Sequence, residues 1–204
     1  SFLELQNIHF DGHMVAVMAL MESPAIIVGV VLMKHYDKEL KTSEKTSSII
    51  KHSITNGSVL LILGSLIIGI IADSKQAEGI KPFTTDIFKG FLALFLLEMG
   101  MVTASRIKGF QQHGVFLFVF GIIVPLFNGM LVAYLSGFIT ESDGNRLLFA
   151  ILAAGASYIA VPATMKLAEP RADAGIYIPM ALAITFPFNI TIGMPIYYAV
   201  VQLF

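Results

Sequence analysis

The run Leu147-Leu-Phe-Ala-Ile-Leu-Ala-Ala-Gly155-Ala-Ser-Tyr-Ile-Ala-Val-Pro162-Ala-Thr-Met165 carries no charge over 19 residues and places a glycine and a proline seven positions apart near its middle. That length matches one crossing of a bilayer core, which takes about 20 apolar residues in a helix. Pro162 has no amide hydrogen and its ring clashes with the preceding turn, so the carbonyl of Tyr158 loses its usual partner. Unpaired backbone at mid-membrane persists only where it lines a cavity or is buried in protein. The stretch therefore reads as a span that breaks halfway, as in transporter sites where half-helix ends aim partial charges at ions and substrate. A proline kink repaired by neighbouring hydroxyls is the other reading the local sequence leaves open.

Working outward, five further apolar runs surround this one: Met14–Met33, Ile54–Ala72, Gly90–Ala104, Gly114–Ile139 and Ile176–Phe204. In chain order the six are segments A to F, and the run above is E. Among 13 basic and 14 acidic residues, only Glu22 and Glu98 fall inside them. The 56% hydrophobic and 13% charged composition departs from the roughly 45–50% apolar and about 25% charged content of soluble domains. The expected fold is an all-α integral membrane protein with six transmembrane helices. Segment C is short, and Lys89 can lift its amine to the headgroups to extend it. D and F are long, and Pro125, Pro179, Pro187 and Pro195 supply sites for kinks.

A net charge of -1 offers no broad basic surface, which excludes nucleic acid as a partner held through many phosphate contacts. With no Cys, disulfides, thiol catalysis and thiolate metal sites are excluded. The histidines at 9, 13, 35, 52 and 113 all lie outside the spans and match no zinc-helix spacing, and no phosphate-cradling Gly-rich loop exists. A Gly-x-Ser-x-Gly turn starting at Gly155 fails at Ile159. The chain is thus expected not to be an enzyme. It opens on Ser1 with a polar lead and no signal peptide, which suggests part of a longer polypeptide.

Lysine and arginine resist translocation, so their distribution orients the spans. If all six segments cross, Lys34, Lys38, Lys41, Lys45, Lys51, Arg106, Lys108, Lys166 and Arg171 share one side, against Lys75, Lys81, Lys89 and Arg146 on the other. The A/B, C/D and E/F connections are then cytoplasmic and the protein sits in the plasma membrane. The chain divides into a lead and first helix over 1–33, a cytoplasmic linker over 34–53 and a bundle over 54–204. The linker reads as a flexible tether or as a dock for a soluble partner or anionic lipid.

Positions that cost free energy in lipid mark the candidate site. Glu22, in Met21-Glu22-Ser23-Pro24, lies near mid-depth of A, where a carboxylate costs about 2.5–3.5 kcal/mol on insertion scales. Segment F holds Thr185-Phe186-Pro187-Phe188-Asn189-Ile190-Thr191, with an amide and two hydroxyls beside a proline. Asn offers a carbonyl oxygen to a cation or a donor to an anion, and its plainer role is an interhelical hydrogen bond. Glu98 reads as pairing with a neighbouring helix rather than as a relay. A and F share a proline beside polar groups and a following glycine, Gly29 and Gly193, as repeated halves with interrupted helices would leave.

The stretch Gly155-Ala156-Ser157-Tyr158-Ile159-Ala160-Val161-Pro162-Ala163, with Thr185 to Asn189 and Ile192-Gly193-Met194-Pro195-Ile196-Tyr197, resembles the sodium-dependent bicarbonate transporter family of SbtA-like permeases. Leu97-Glu98-Met99-Gly100-Met101 with Ser105-Arg106, and Glu22-Ser23-Pro24, match it elsewhere. The resemblance implies a ten-helix protein of two inverted five-helix repeats, with A to F as the fifth to tenth helices and E as a broken crossing helix. It also implies bicarbonate and sodium bound near the crossing, a homotrimer, and a PII-like regulator docking from the cytoplasm. At Tyr158 and Val161 the chain departs from the Asp and Gly of studied members.

The expected function is a sodium-coupled symporter of a small anion, with bicarbonate the first candidate. The anion would lie on Gly155, Ala156, Ser157, Tyr158 and Ala160. Sodium, as coupling ion and with no other cofactor, would lie on oxygens of Glu22, Ser157, Thr185 and Asn189. The alternative is a non-transporting membrane subunit that docks a partner through the 34–53 loop.

Overall fold

The structure is a computed structural model that describes residues 2–36, 57–111, 114–157, 165, 169 and 171–204. All regular structure among the described residues is helical. The helices are α1 (Phe2–Leu5), α2 (Met14–Tyr36), α3 (Gly57–Ile71), α4 (Ser74–Lys81), α5 (Phe88–Gln111), α6 (Gly114–Leu135), α7 (Asp143–Ala154), α8 (Ala174–Pro179), α9 (Phe186–Phe188) and α10 (Met194–Leu203). Wide π-helical turns at Pro82–Ile87, Met180–Thr185 and Asn189–Gly193 join α4 to α5, α8 to α9 and α9 to α10.

Three described helical runs are long and apolar enough to cross a membrane: Lys75–Ser105, Val115–Phe138 and Ala174–Leu203. The last two coincide with segments D and F. The first extends segment C well before its expected start at Gly90. Its polar opening is helical because Asp73 and Gln76 form a reciprocal cap, with Gln76 N donating to Asp73 Oδ1 at 2.8 Å and Asp73 N to Gln76 Oε1 at 3.1 Å. Segment A is helical throughout, with its apolar stretch at Pro24–Met33. The described part of B is the 15-residue α3. The expected linker over 34–53 lies outside the described residues from 37 onward.

The chain forms two compact units: Ser1–Met18, Arg106–Tyr158 and Asp173–Phe204 make the first, and Ala19–Ser105 with Ile159–Ala172 the second. In the first, Leu3, Ala133, Leu147, Ala150, Ala154, Tyr197 and Val201 form the buried core. The polar lead is folded onto it. Phe2 meets the ring of Tyr198 edge to face at 6.2 Å, and Leu3 and Ile8 join the core. The second unit presents an apolar exterior typified by Ile67, Ile70 and Ile71, as helices facing lipid do. Glu98 lies on the exposed face of α5 beside Leu94, Leu97 and Met101. Outside the spans, Arg171 Nε donates to Glu169 Oε1 at 2.8 Å, and that hydrogen bond lowers the Glu169 carboxyl below its ordinary range.

Candidate functional site

Segment E starts as a helix and stops halfway. Ser142 caps α7, accepting from Asn145 N, and Asp143 puts negative charge in the first turn where the helix dipole favours it. Leu147, Ala150 and Ala154 recur at helical spacing and are buried on one face. After Ala154 the backbone becomes extended, with Gly155 at φ -69° and ψ 146°, and Gly155–Ser157 are not helical. A side chain at Gly155 would press on the carbonyls of Leu152 and Ile151 at 3.3 and 3.4 Å. The Gly155 N–H turns back, donating to Leu152 O at 3.3 Å.

A helix end leaves its last carbonyls without intrahelical partners. One of them is answered from segment F, where Asn189 Nδ2 donates to Ala154 O at 2.7 Å. On the far side of the amide, the Tyr197 hydroxyl donates to Asn189 Oδ1 at 2.8 Å. Pro125 O lies 3.3 Å from the same hydroxyl and takes the lesser share of its single proton. Four residues before Asn189, the buried Thr185 donates Oγ1–H to Gly121 O at 2.8 Å.

The prolines of segment F explain how these groups come to one side. Each π turn ends two residues before a proline, at Thr185 before Pro187 and at Gly193 before Pro195. A proline ring clashes with the carbonyl four residues back, and widening the turn by one residue moves that carbonyl aside. The amide of Phe186 accordingly donates to Ala181 O, and that of Met194 to Asn189 O, each five residues back. Glycines then admit the side chains. A Cβ at Gly129 would fall on the ring of Tyr197, and one at Gly193 would lie 2.9 Å from Asn189 Oδ1 and 3.0 Å from the Tyr197 hydroxyl. At Gly121 it would sit 3.2 Å from Met180 Cγ, 3.3 Å from Ile184 Cγ2 and 3.4 Å from Thr185 Oγ1.

Of the expected anion ligands, Gly155, Ala156 and Ser157 lie on the non-helical stretch, with Gly155 and Ser157 exposed. Tyr158 and Ala160 fall outside the described residues. Of the expected cation ligands, Thr185 and Asn189 are 2% and 8% exposed, on one helical run beside the break. Glu22 lies on α2 in the second unit, and its side chain is outside the description. Within the first unit the structure thus gathers Asn189, Thr185 and the end of α7. Tyr197, Gly121, Gly129 and Gly193 complete that cluster and were not among the expected site residues.

The cluster is neutral and rich in oxygen. Asn189 Oδ1 accepts one hydrogen bond and keeps a second lone pair, and Thr185, having given its proton to Gly121, faces any ligand as an acceptor. Among the described residues no group of three or more His, Asp or Glu gathers, so the oxygens on offer here are those of amides, hydroxyls and main chain.

At the opposite end of α7 from the break, Arg146, 5% exposed, donates from Nη1 to Val201 O at 3.0 Å and from Nη2 to Ala133 O at 3.2 Å. These carbonyls belong to the last turns of α10 and α6, where a cation meets the negative ends of two helix dipoles. Asn145 beside it pairs with Asp11, donating Nδ2 to Asp11 Oδ2 at 2.7 Å and accepting from Asp11 N at 2.9 Å. The lead, α6, α7 and α10 are therefore tied at one end, which fixes where the break at the other end of α7 falls against segment F.

A family model described as the Na+-dependent bicarbonate transporter superfamily matches residues 1–202. No curated protein matches the chain.

Proposed function

The chain belongs to the Na+-dependent bicarbonate transporter superfamily, and from that premise we propose that it is a sodium-coupled symporter of a small anion, with bicarbonate the first candidate. The observation that carries this reading is the end of α7 at Ala154 inside an apolar segment, with Asn189 holding the last carbonyl. An extended stretch of main chain beyond a helix end offers amide hydrogens to an anion. The carbonyl and hydroxyl oxygens of Asn189, Thr185 and Ser157 are the proposed cradle for sodium. Each ion lowers the electrostatic cost of burying the other, so neither binds well alone.

The test is uptake of isotopically labelled bicarbonate by proteoliposomes carrying the intact protein, at alkaline pH where carbon dioxide is scarce. Saturable uptake that requires an inward sodium gradient is expected, and replacing sodium with potassium should abolish it. Asn189→Ala and Ser157→Ala should each weaken uptake while leaving membrane insertion intact. Uptake indifferent to sodium would overturn the coupling. The docking-subunit alternative predicts no uptake under either gradient.

A further inference from the structure

We infer that Tyr197 is a positioning residue whose hydroxyl fixes the orientation of the Asn189 amide and, through it, ties the end of α7 at Ala154 to segment F. Two elementary facts carry this. A main-chain carbonyl only accepts, so the end of the Asn189 amide facing Ala154 O is the NH2 group, at 2.7 Å. The other end is then the carbonyl oxygen Oδ1, and it too only accepts, so the Tyr197 hydroxyl at 2.8 Å must be the donor.

The competing acceptor, Pro125 O, is farther away at 3.3 Å and as a helix carbonyl has its own intrahelical donor. Tyr197 is 0% exposed, so no water replaces the hydroxyl. Removing it leaves Oδ1 a buried acceptor without a donor, a costly state that the amide escapes by turning. Turning takes Nδ2 from Ala154 O and releases the carbonyl that marks the break. The ring is held separately, in the gaps left by Gly129 and Gly193, so Tyr197→Phe deletes the hydroxyl and keeps the packing.

The transport consequence rests on the symport reading above, while the structural claim does not, and the experiment separates them. Hydrogen exchange is measured on the intact protein and on Tyr197→Phe, Asn189→Ala and the double variant. Exchange over 151–157 should quicken by about tenfold in each single variant, equivalent to about 1.4 kcal/mol. The double variant should show no further increase, because the hydroxyl acts only through the amide. Exchange over 126–133, on the α6 side of the ring, should not change. In proteoliposomes Tyr197→Phe should raise the KM for sodium while Vmax per inserted protein is kept.

Unchanged exchange over 151–157 in Tyr197→Phe overturns the inference. So does equal quickening over 126–133, which would mean ring packing alone, or an additive double variant. If exchange behaves as expected and the unaltered protein shows no sodium-dependent uptake, the positioning role stands and the symport reading falls.

Discussion

Asn189 does two jobs with one amide: the NH2 end satisfies the helix end at Ala154 and the carbonyl end receives the Tyr197 proton. The arrangement depends on what is missing at Gly129 and Gly193. Gly129→Ala would drive a methyl into the Tyr197 ring, whereas Gly121→Ala would meet the side chains of Met180, Ile184 and Thr185 at 3.2, 3.3 and 3.4 Å, contacts that a shift of a few tenths of an ångström relieves. Overpacking of the first kind costs about 1–3 kcal/mol. Thermal unfolding in detergent should show the Gly129 variant clearly less stable than the Gly121 variant, and equal midpoints would contradict the packing described. Asn189 and Thr185 were legible in the sequence because polar groups beside a proline in an apolar run are costly and so stand out. Tyr197 was not. Eight residues at about 100° each place it about 80° from Asn189 on a regular helix. The π turn at Asn189–Gly193 takes back about one residue step and brings the two onto one face.

At the scale of elements, segment F is a helix whose irregularities do the positioning. Pro195→Ala would restore an amide that the Thr191 carbonyl can use, allow the ordinary register through 189–193, and remove a residue that costs about 3 kcal/mol in a helix interior. The expected outcome is a variant at least as stable as the original with uptake lowered severalfold, because Tyr197 rotates away from Asn189. Full activity together with raised stability would show that the π turn is dispensable. Segment E's break was legible from Gly155 and Pro162. Its place at Ala154 was not, because it also depends on an amide supplied by another helix and on the anchor at Arg146. Arg146→Met should strip donors from the carbonyls of Ala133 and Val201 and lower the thermal midpoint by the equivalent of about 1–3 kcal/mol. Arg146→Lys should recover only part, since an ammonium lacks the fork that reaches two carbonyls at once. Full rescue by lysine would reduce the residue to a charge.

For the whole molecule, the proposed orientation follows from basic residues that resist translocation. Of the four basic residues on the other side, Arg146 donates to helix carbonyls within the first unit. The same contacts tie the lead, the start of α7 and the ends of α6 and α10 together at one end of that unit. A chain without cysteine makes the arrangement measurable by adding single thiols. Glu141→Cys lies at the exposed bend before α7, and Ser47→Cys lies in the proposed cytoplasmic linker. A membrane-impermeant maleimide should label the first in intact cells and the second only after permeabilisation. The opposite pattern would invert the protein in the bilayer. Labelling of both from outside would break the parity of the spans between them, and with it the proposal that α3 and the helical run through α5 each cross.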